Sequence, residues 1–131
     1  MIDRDSTTIG RPDWASLGLG ARLFRVAHTV WSVFNLAALA HIWRCAVTRR
    51  RDRNLYSAVG LLLAEGGALM VGRGNCPFGP FQARLGDPVP LFELVLPPRA
   101  AKAAVPVLTV ITLAGMVAVA LRPPGESLTR R

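Results

Sequence analysis

Recognisable catalytic and cofactor-binding motifs are missing from this chain of 131 residues. It contains no Walker loop, no glycine-rich dinucleotide fingerprint and no His/Cys/Asp/Glu cluster with metal-ligand spacing. The two histidines, His28 and His41, are separated so that they fall on roughly opposite faces of a helix, which argues against a shared metal. No Ser–His–carboxylate set can be identified. We therefore predict no cofactor and no metal site, and we favour a non-enzymatic protein over an enzyme.

Charged residues are also scarce, at 18% of the chain, and most are arginine. Lys102 is the single lysine beside fifteen arginines, and the formal net charge is +8. A basic protein can bind nucleic acid, but these arginines cluster beside apolar segments, as they do in membrane proteins. We therefore predict no nucleic-acid partner. The arginine bias, with abundant alanine, glycine, proline and valine, is typical of GC-rich bacterial genomes.

A signal-peptide pattern is the third absence. Residues 1–22 are polar and lack a basic segment followed by a short apolar core. We therefore predict a polar N-terminal tail, with the first apolar segment retained as a membrane anchor.

Apolar residues, in contrast, make up 51% of the chain, and the mean hydropathy of +0.34 is high for a soluble protein. Three segments approach the length of about 20 residues that a transmembrane helix needs. We predict an all-α, membrane-embedded bundle of three transmembrane helices in one domain. Its parts are the polar tail (1–22), a helical domain (23–121) with spans at about 25–47, 55–72 and 103–121, a Pro/Gly-rich outer loop (73–102) and a basic tail (122–131).

The connection between the first two spans, residues 44–54, carries five arginines against one aspartate. Because such a basic loop is hard to translocate, we predict it on the cytoplasmic side of a bacterial cell membrane, with the N terminus outside and the C terminus inside. Eight Lys or Arg residues then lie on each side, so the predicted orientation depends on the local density of arginine in residues 44–54 and not on the totals. In the outer loop, Val89 to Leu96 is apolar but too short to cross, so an interfacial or re-entrant segment is expected.

Glu65 is the one charged residue inside the second span. A carboxylate at this depth is costly unless it has a partner or a function. The favoured interpretation is a protonated Glu65 that joins helices by hydrogen bonds; the alternatives are a proton relay or ion site, and a contact to a substrate or lipid headgroup. Ser32, Asn35 and Thr109 are predicted within one helical turn of that depth, and His28 about one turn further out. Together they complete a candidate intramembrane cluster: Glu65, His28, Ser32, Asn35 and Thr109.

Small residues recur every four positions in the second span, at Gly60, Ala64, Ala68 and Gly72. This spacing lets another helix approach the backbone closely. We predict a helix-packing groove there, which a neighbouring helix, a second copy of the chain or another membrane protein would fill.

The two cysteines are predicted on opposite sides of the membrane, Cys45 at the cytoplasmic boundary and Cys76 outside. A disulfide between them is excluded by that separation. Cys76 faces the more oxidising side and is the candidate reactive thiol, with an inert buried thiol as the alternative. His41 is interpreted as a residue of the cytoplasmic boundary, not as a ligand.

The run from Cys76 to Gln82, Cys-Pro-Phe-Gly-Pro-Phe-Gln, resembles the Cys-Pro-Leu-Thr-Pro-Leu-Glu signature of an uncharacterised family of small bacterial multi-pass membrane proteins. The cysteine and both prolines match in place, whereas Gly79 replaces threonine and Gln82 replaces glutamate. The resemblance covers about residues 60–100. It implies an integral membrane protein and no particular mechanism.

Three functions are compatible with these features. The favoured one is a small integral membrane protein that is structural or accessory to a membrane complex, with the lipid bilayer and a membrane-protein partner or second copy as its contacts. The second is a subunit of an oligomeric, proton-coupled carrier or channel that uses Glu65 and His28. The third is a thiol-dependent membrane enzyme at Cys76.

Overall fold

The computed structural model describes residues 13–74 and 76–125, and these ranges are helical with no β-strand. Residues 1–12 and 126–131, which make up most of the two predicted tails, lie outside the described residues. The elements are a 3-10 turn at Trp14–Ser16, α1 (Leu19–Thr48), α2 (Arg53–Val71), α3 (Gly79–Arg84), a 3-10 turn at Leu91–Leu94, and α4 (Pro98–Leu121).

The helices α1, α2 and α4 are the three predicted spans, and each is long and apolar enough to cross a membrane. Helix α4 is the most apolar, and only 6% of its most apolar window is buried by the rest of the chain. A long helix with so many exposed valines and leucines has the surface expected of a membrane-spanning segment. The predicted all-α bundle of three transmembrane helices is therefore confirmed.

Two boundaries differ from prediction. Helix α1 begins at Leu19, so the N-terminal tail ends four residues before the predicted residue 22. The helix extends this far because Ala21 and Arg25 are buried against the rest of the bundle. The outer loop predicted at 73–102 contains α3 and a 3-10 turn, and α4 already begins at Pro98. Proline at the first helical position has a preset φ and needs no N–H partner there, which explains the early start.

The connection between α1 and α2 is a tight turn. Arg49 ends α1 in the left-handed conformation, with a φ of 53°. Asp52 then caps α2 by accepting a hydrogen bond from the backbone N–H of Leu55 at 2.8 Å. The C-terminal end of α4 meets this turn, since the N–H of Gly125 donates to the carbonyl of Arg49 at 3.2 Å. The structure therefore places the α1–α2 turn and the end of α4 at the same end of the bundle.

The hydrophobic core lies between α1 and α2, near that turn. Its centre is four buried residues, with side chains from all three long helices around it: Ile42, Cys45, Leu55 and Ala58, then Ala38, Val59, Leu62, Met116 and Val119. Ile42 is fully excluded from solvent. This core holds the helical hairpin together and fixes the rotation of each helix, which decides where its polar side chains lie.

Candidate functional site

Glu65 forms a hydrogen bond between two helices. Its Oε2 atom accepts from the indole Nε1 of Trp31 on α1 at 3.0 Å, and the residue is half-buried. An indole N–H is a donor only, so it satisfies one carboxyl oxygen and brings no second titratable group to the site. The contact joins the N-terminal half of α1 to the C-terminal half of α2.

The other predicted partners of Glu65 make no bond to it in the described ranges. The hydroxyl of Ser32 donates to the carbonyl of His28 at 2.9 Å, and the side-chain amide of Asn35 donates to the carbonyl of Trp31 at 3.0 Å. Thr109 on α4 likewise donates to the carbonyl of Val105. Each of these side chains bonds the backbone one turn earlier in its own helix, a common local alternative to an interhelical contact. No hydrogen bond between side chains therefore joins the members of the predicted five-residue cluster to one another in the described ranges.

His28 lies in an aromatic pocket at the end of the bundle opposite the α1–α2 turn. Its ring packs against Phe24 and Phe78 with centroid separations of 5.7 and 6.4 Å. Its Nε2 atom lies 3.8 Å from the Sγ atom of Cys76, which is half-buried. The structure thus pairs His28 with the candidate thiol and not with Glu65. An imidazole at this distance is suited to accept a thiol proton or to hydrogen-bond a thiolate.

A buried ion pair beside this pocket was not foreseen from the sequence. Arg25 in α1 donates from Nε to Asp87 Oδ2 at 2.7 Å and from Nη2 to Asp87 Oδ1 at 2.5 Å. The exposed fraction is 10% for the Arg25 side chain and 0% for that of Asp87. This two-point geometry is the strong form of an arginine–carboxylate contact. It fastens the connection between α2 and α4 to the start of α1.

Gln82 completes this arrangement from α3. It is buried, and its Nε2 atom donates to Asp87 Oδ2 at 3.1 Å and to the carbonyl of Val89 at 2.8 Å. Burial raises the pKa of Asp87, but the hydrogen bonds from Arg25 and Gln82 and the charge of Arg25 outweigh it, so the net pKa is lowered. An arginine near the start of a span, followed by an aspartate in the next outer loop, was the only sequence signal for this pair.

Close helix packing occurs at Gly115 of α4, which the sequence reasoning missed. A Cβ atom there would lie 3.0 Å from Nε1 of Trp43 and 3.2 Å from Cγ2 of Ile42. The Trp43 indole also donates to the carbonyl of Ile111 at 3.2 Å. A larger residue at position 115 would require the indole of Trp43 and the side chain of Ile42 to shift by a few tenths of an ångström.

The predicted groove on α2 makes no such contact within the described chain. A Cβ atom on Gly60 would meet nothing within 4 Å, and Ala64 is exposed. The face of α2 that packs on α1 instead carries Leu55, Ala58 and Leu62. Small residues spaced four apart show which face can be approached closely, but larger apolar residues on the other face bury more surface within the chain.

At the opposite end of the bundle, the α1–α2 turn brings together three potential metal ligands. The Nε2 atom of His41 lies 3.0 Å from Asp52 Oδ1 and 3.5 Å from Cys45 Sγ. The hydrogen bond with His41, followed by that from the N–H of Leu55, lowers the pKa of Asp52. This cluster was not predicted from the sequence, because Asp52 comes from the turn before α2 whereas His41 and Cys45 belong to α1.

Comparison with known proteins adds no relative to these observations: no protein-family model, no curated protein and no solved structure matches the chain. The function of this protein must therefore be inferred from its own residues.

Proposed function

We propose that this chain is a structural or accessory subunit of a membrane complex, acting by contact and not by catalysis. The observation that carries this proposal is the bonding of Glu65 to Trp31 on the neighbouring helix. In the described ranges, Glu65 bonds Trp31, and the donors of Ser32, Asn35 and Thr109 bond the backbone of their own helices and not one another. Such an arrangement supports a rigid scaffold more than a transport path.

We assign the partner to the face of α2 that carries Gly60 and Ala64. Gly60 and Ala64 are exposed there, and the space above Gly60 is open. Association of membrane helices depends on close packing, because lipid is as apolar as the side chains it surrounds. A partner helix would therefore gain most where small residues let the two backbones approach.

Enlarging one small residue on this face tests the proposal. Ala64→Leu should reduce the fraction of tagged protein that migrates as a complex in native gels, because the added side chain keeps the partner helix at a distance. Ala37→Leu is the matched control, since Ala37 is also exposed but lies on α1. If Ala64→Leu and Ala37→Leu leave the complex equally intact, the assigned surface is wrong.

The carrier hypothesis is tested by Glu65→Gln. The scaffold proposal expects this variant to fold and to retain its complex, because glutamine also accepts a hydrogen bond from Trp31. A proton-coupled carrier would instead lose pH-dependent flux in proteoliposomes. A flux that is present in the wild type and absent from Glu65→Gln would replace the scaffold proposal with the carrier.

A second candidate function, thiol chemistry at Cys76, is favoured by the 3.8 Å approach of His28 Nε2 to Cys76 Sγ. An adjacent imidazole increases the thiolate fraction and hence the reactivity. Alkylation of Cys76 at neutral pH should therefore be faster in the wild type than in His28→Phe, which retains the aromatic packing. Equal alkylation rates would remove this candidate.

We further propose that the chain lies in a bacterial cell membrane with the N terminus outside. Cys45 is buried and is a poor label for this question. Cysteine is better introduced at exposed positions at the two ends of the bundle, as Arg50→Cys and Arg84→Cys in a variant without the native cysteines. An impermeant maleimide should label position 84, and not position 50, in intact cells. The reverse pattern would invert the orientation.

A further inference from the structure

We propose that His41, Cys45 and Asp52 form a binding site for a divalent transition metal, best suited to Zn²⁺, at the turn between α1 and α2. The ligand atoms of the three residues lie within 4.8 Å of one another. The proposal is independent of the proposed accessory function, because it concerns the opposite end of the bundle from Cys76 and a different face from Ala64.

The geometry comes from two separate constraints. His41 and Cys45 are four residues apart in α1, so their side chains share one face of the helix. Asp52 is held by its capping bond to the N–H of Leu55, which directs its carboxylate back toward α1. Three ligands from two different elements are thus positioned by the fold before any metal binds.

The distances suit a tetrahedral ion. With Zn–N and Zn–O bonds of about 2.0 Å and a Zn–S bond of about 2.3 Å, two ligands of one tetrahedral ion lie roughly 3.3–3.6 Å apart. The observed separations from His41 Nε2 are 3.5 Å to Cys45 Sγ and 3.0 Å to Asp52 Oδ1. The third pair, Cys45 Sγ and the Asp52 carboxylate, lies within 4.8 Å, so metal binding requires a side-chain rotation that shortens this separation to about 3.5 Å.

The ligand types also select the metal class. One imidazole, one thiolate and one carboxylate form a borderline-soft set, which suits Zn²⁺ and disfavours Mg²⁺ and Ca²⁺, since those ions prefer oxygen. On binding, the Cys45 thiol releases its proton to solvent, a Zn–S bond forms, and no redox change occurs. The thiolate and carboxylate then balance the two positive charges of the ion with a neutral imidazole.

The surroundings combine a closed side and an open side. Cys45 packs in the apolar cluster with Ile42 and Leu55, which shields the thiolate from water. The side chains of His41 and Asp52 are 22% and 48% exposed, so an ion can enter and a water can occupy the fourth position. Arg51, in the same turn, donates from Nη2 to the carbonyl of Val119 in α4 and to that of Arg122, the residue that follows α4.

Cobalt provides a direct test, because Co²⁺ occupies such sites and a thiolate ligand gives an intense charge-transfer band in the near ultraviolet. The full chain in detergent micelles should bind one Co²⁺ with this band, and added Zn²⁺ should abolish it by displacement. Cys45→Ser should lose the band, whereas Cys76→Ser, the matched control, should retain it. Competition with a chromogenic chelator gives the Zn²⁺ affinity of each variant.

Asp52→Asn tests the site even if the other variants fail to fold, because asparagine caps a helix as well as aspartate does. It should weaken Zn²⁺ binding by about tenfold or more at unchanged helix content, since removal of even an outer-shell partner has this effect. Three results would overturn the site: no thiolate band in the wild type, a band lost in Cys76→Ser but kept in Cys45→Ser, or wild-type affinity in Asp52→Asn.

Discussion

Asp87→Asn is the substitution with the largest expected effect on folding. It removes the negative charge from a side chain with no solvent exposure and leaves the Arg25 guanidinium, itself only 10% exposed, without a counter-charge. It also weakens both hydrogen bonds from Arg25, at 2.7 and 2.5 Å. Removing one partner of a buried ion pair costs about 3–5 kcal/mol, because the remaining charge is desolvated and unpaired. We expect the free energy of unfolding to fall by that amount.

The assay is unfolding in mixed micelles with an increasing fraction of a denaturing detergent, followed by circular dichroism. The control is the double variant Arg25→Met/Asp87→Leu, which removes both charges and fills the space with apolar atoms. It should lie within about 2 kcal/mol of the wild type, since a buried pair replaced as a whole is often nearly neutral. This reasoning would be refuted if Asp87→Asn lowered the free energy of unfolding by less than about 1 kcal/mol. It would also be refuted if the double variant were destabilised as much as Arg25→Met and Asp87→Leu added together.

The same pair predicts an acid dependence. The folded-state pKa of Asp87 is lowered from an ordinary value of 3.8, so the stability from the charged pair is present above that pH and is lost as pH falls through the folded value. Below pH 3.8 the wild-type stability should therefore decrease toward that of Asp87→Asn. If the wild type and Asp87→Asn lose the same amount of stability as the pH falls through this range, the acid sensitivity belongs to other groups.

Three further substitutions test the packing. Gln82→Glu should destabilise the segment around Asp87 by about 1–3 kcal/mol, because it places a second carboxyl group beside Asp87 in place of a donor; protease resistance equal to the wild type would contradict this. Gly115→Val should cost about 1–3 kcal/mol by overpacking against Trp43, and an unchanged indole fluorescence would argue against that contact. Thr109→Val should change stability by no more than about 0.5 kcal/mol, because the hydroxyl bonds only its own helix; a larger loss would restore the predicted polar cluster.

The fold class was determined by local composition. A transmembrane helix satisfies its backbone hydrogen bonds internally, so a run of apolar residues predicts it without knowledge of its neighbours. For this reason α1, α2 and α4 were predicted with errors of a few residues at their ends, which depend on caps such as Asp52 and on prolines such as Pro98.

The partners of the polar side chains were decided by tertiary structure alone. The sequence identified Glu65 as the carboxylate within the second span but could not show that an indole, and not an amide, bonds it, because helix rotation depends on how Ile42, Leu55 and their neighbours pack. The same rotation brings Cys45 beside Asp52.

The contacts that the sequence did not predict join residues that are far apart in the chain. Asp87 is 62 residues from Arg25, and no periodicity connects an outer loop to the first turns of a helix. Hydropathy along the chain thus determined which segments enter the membrane, because that choice depends on each segment alone. The packing of three helices determined which charged, thiol and imidazole groups meet, because that depends on distances between segments far apart in sequence.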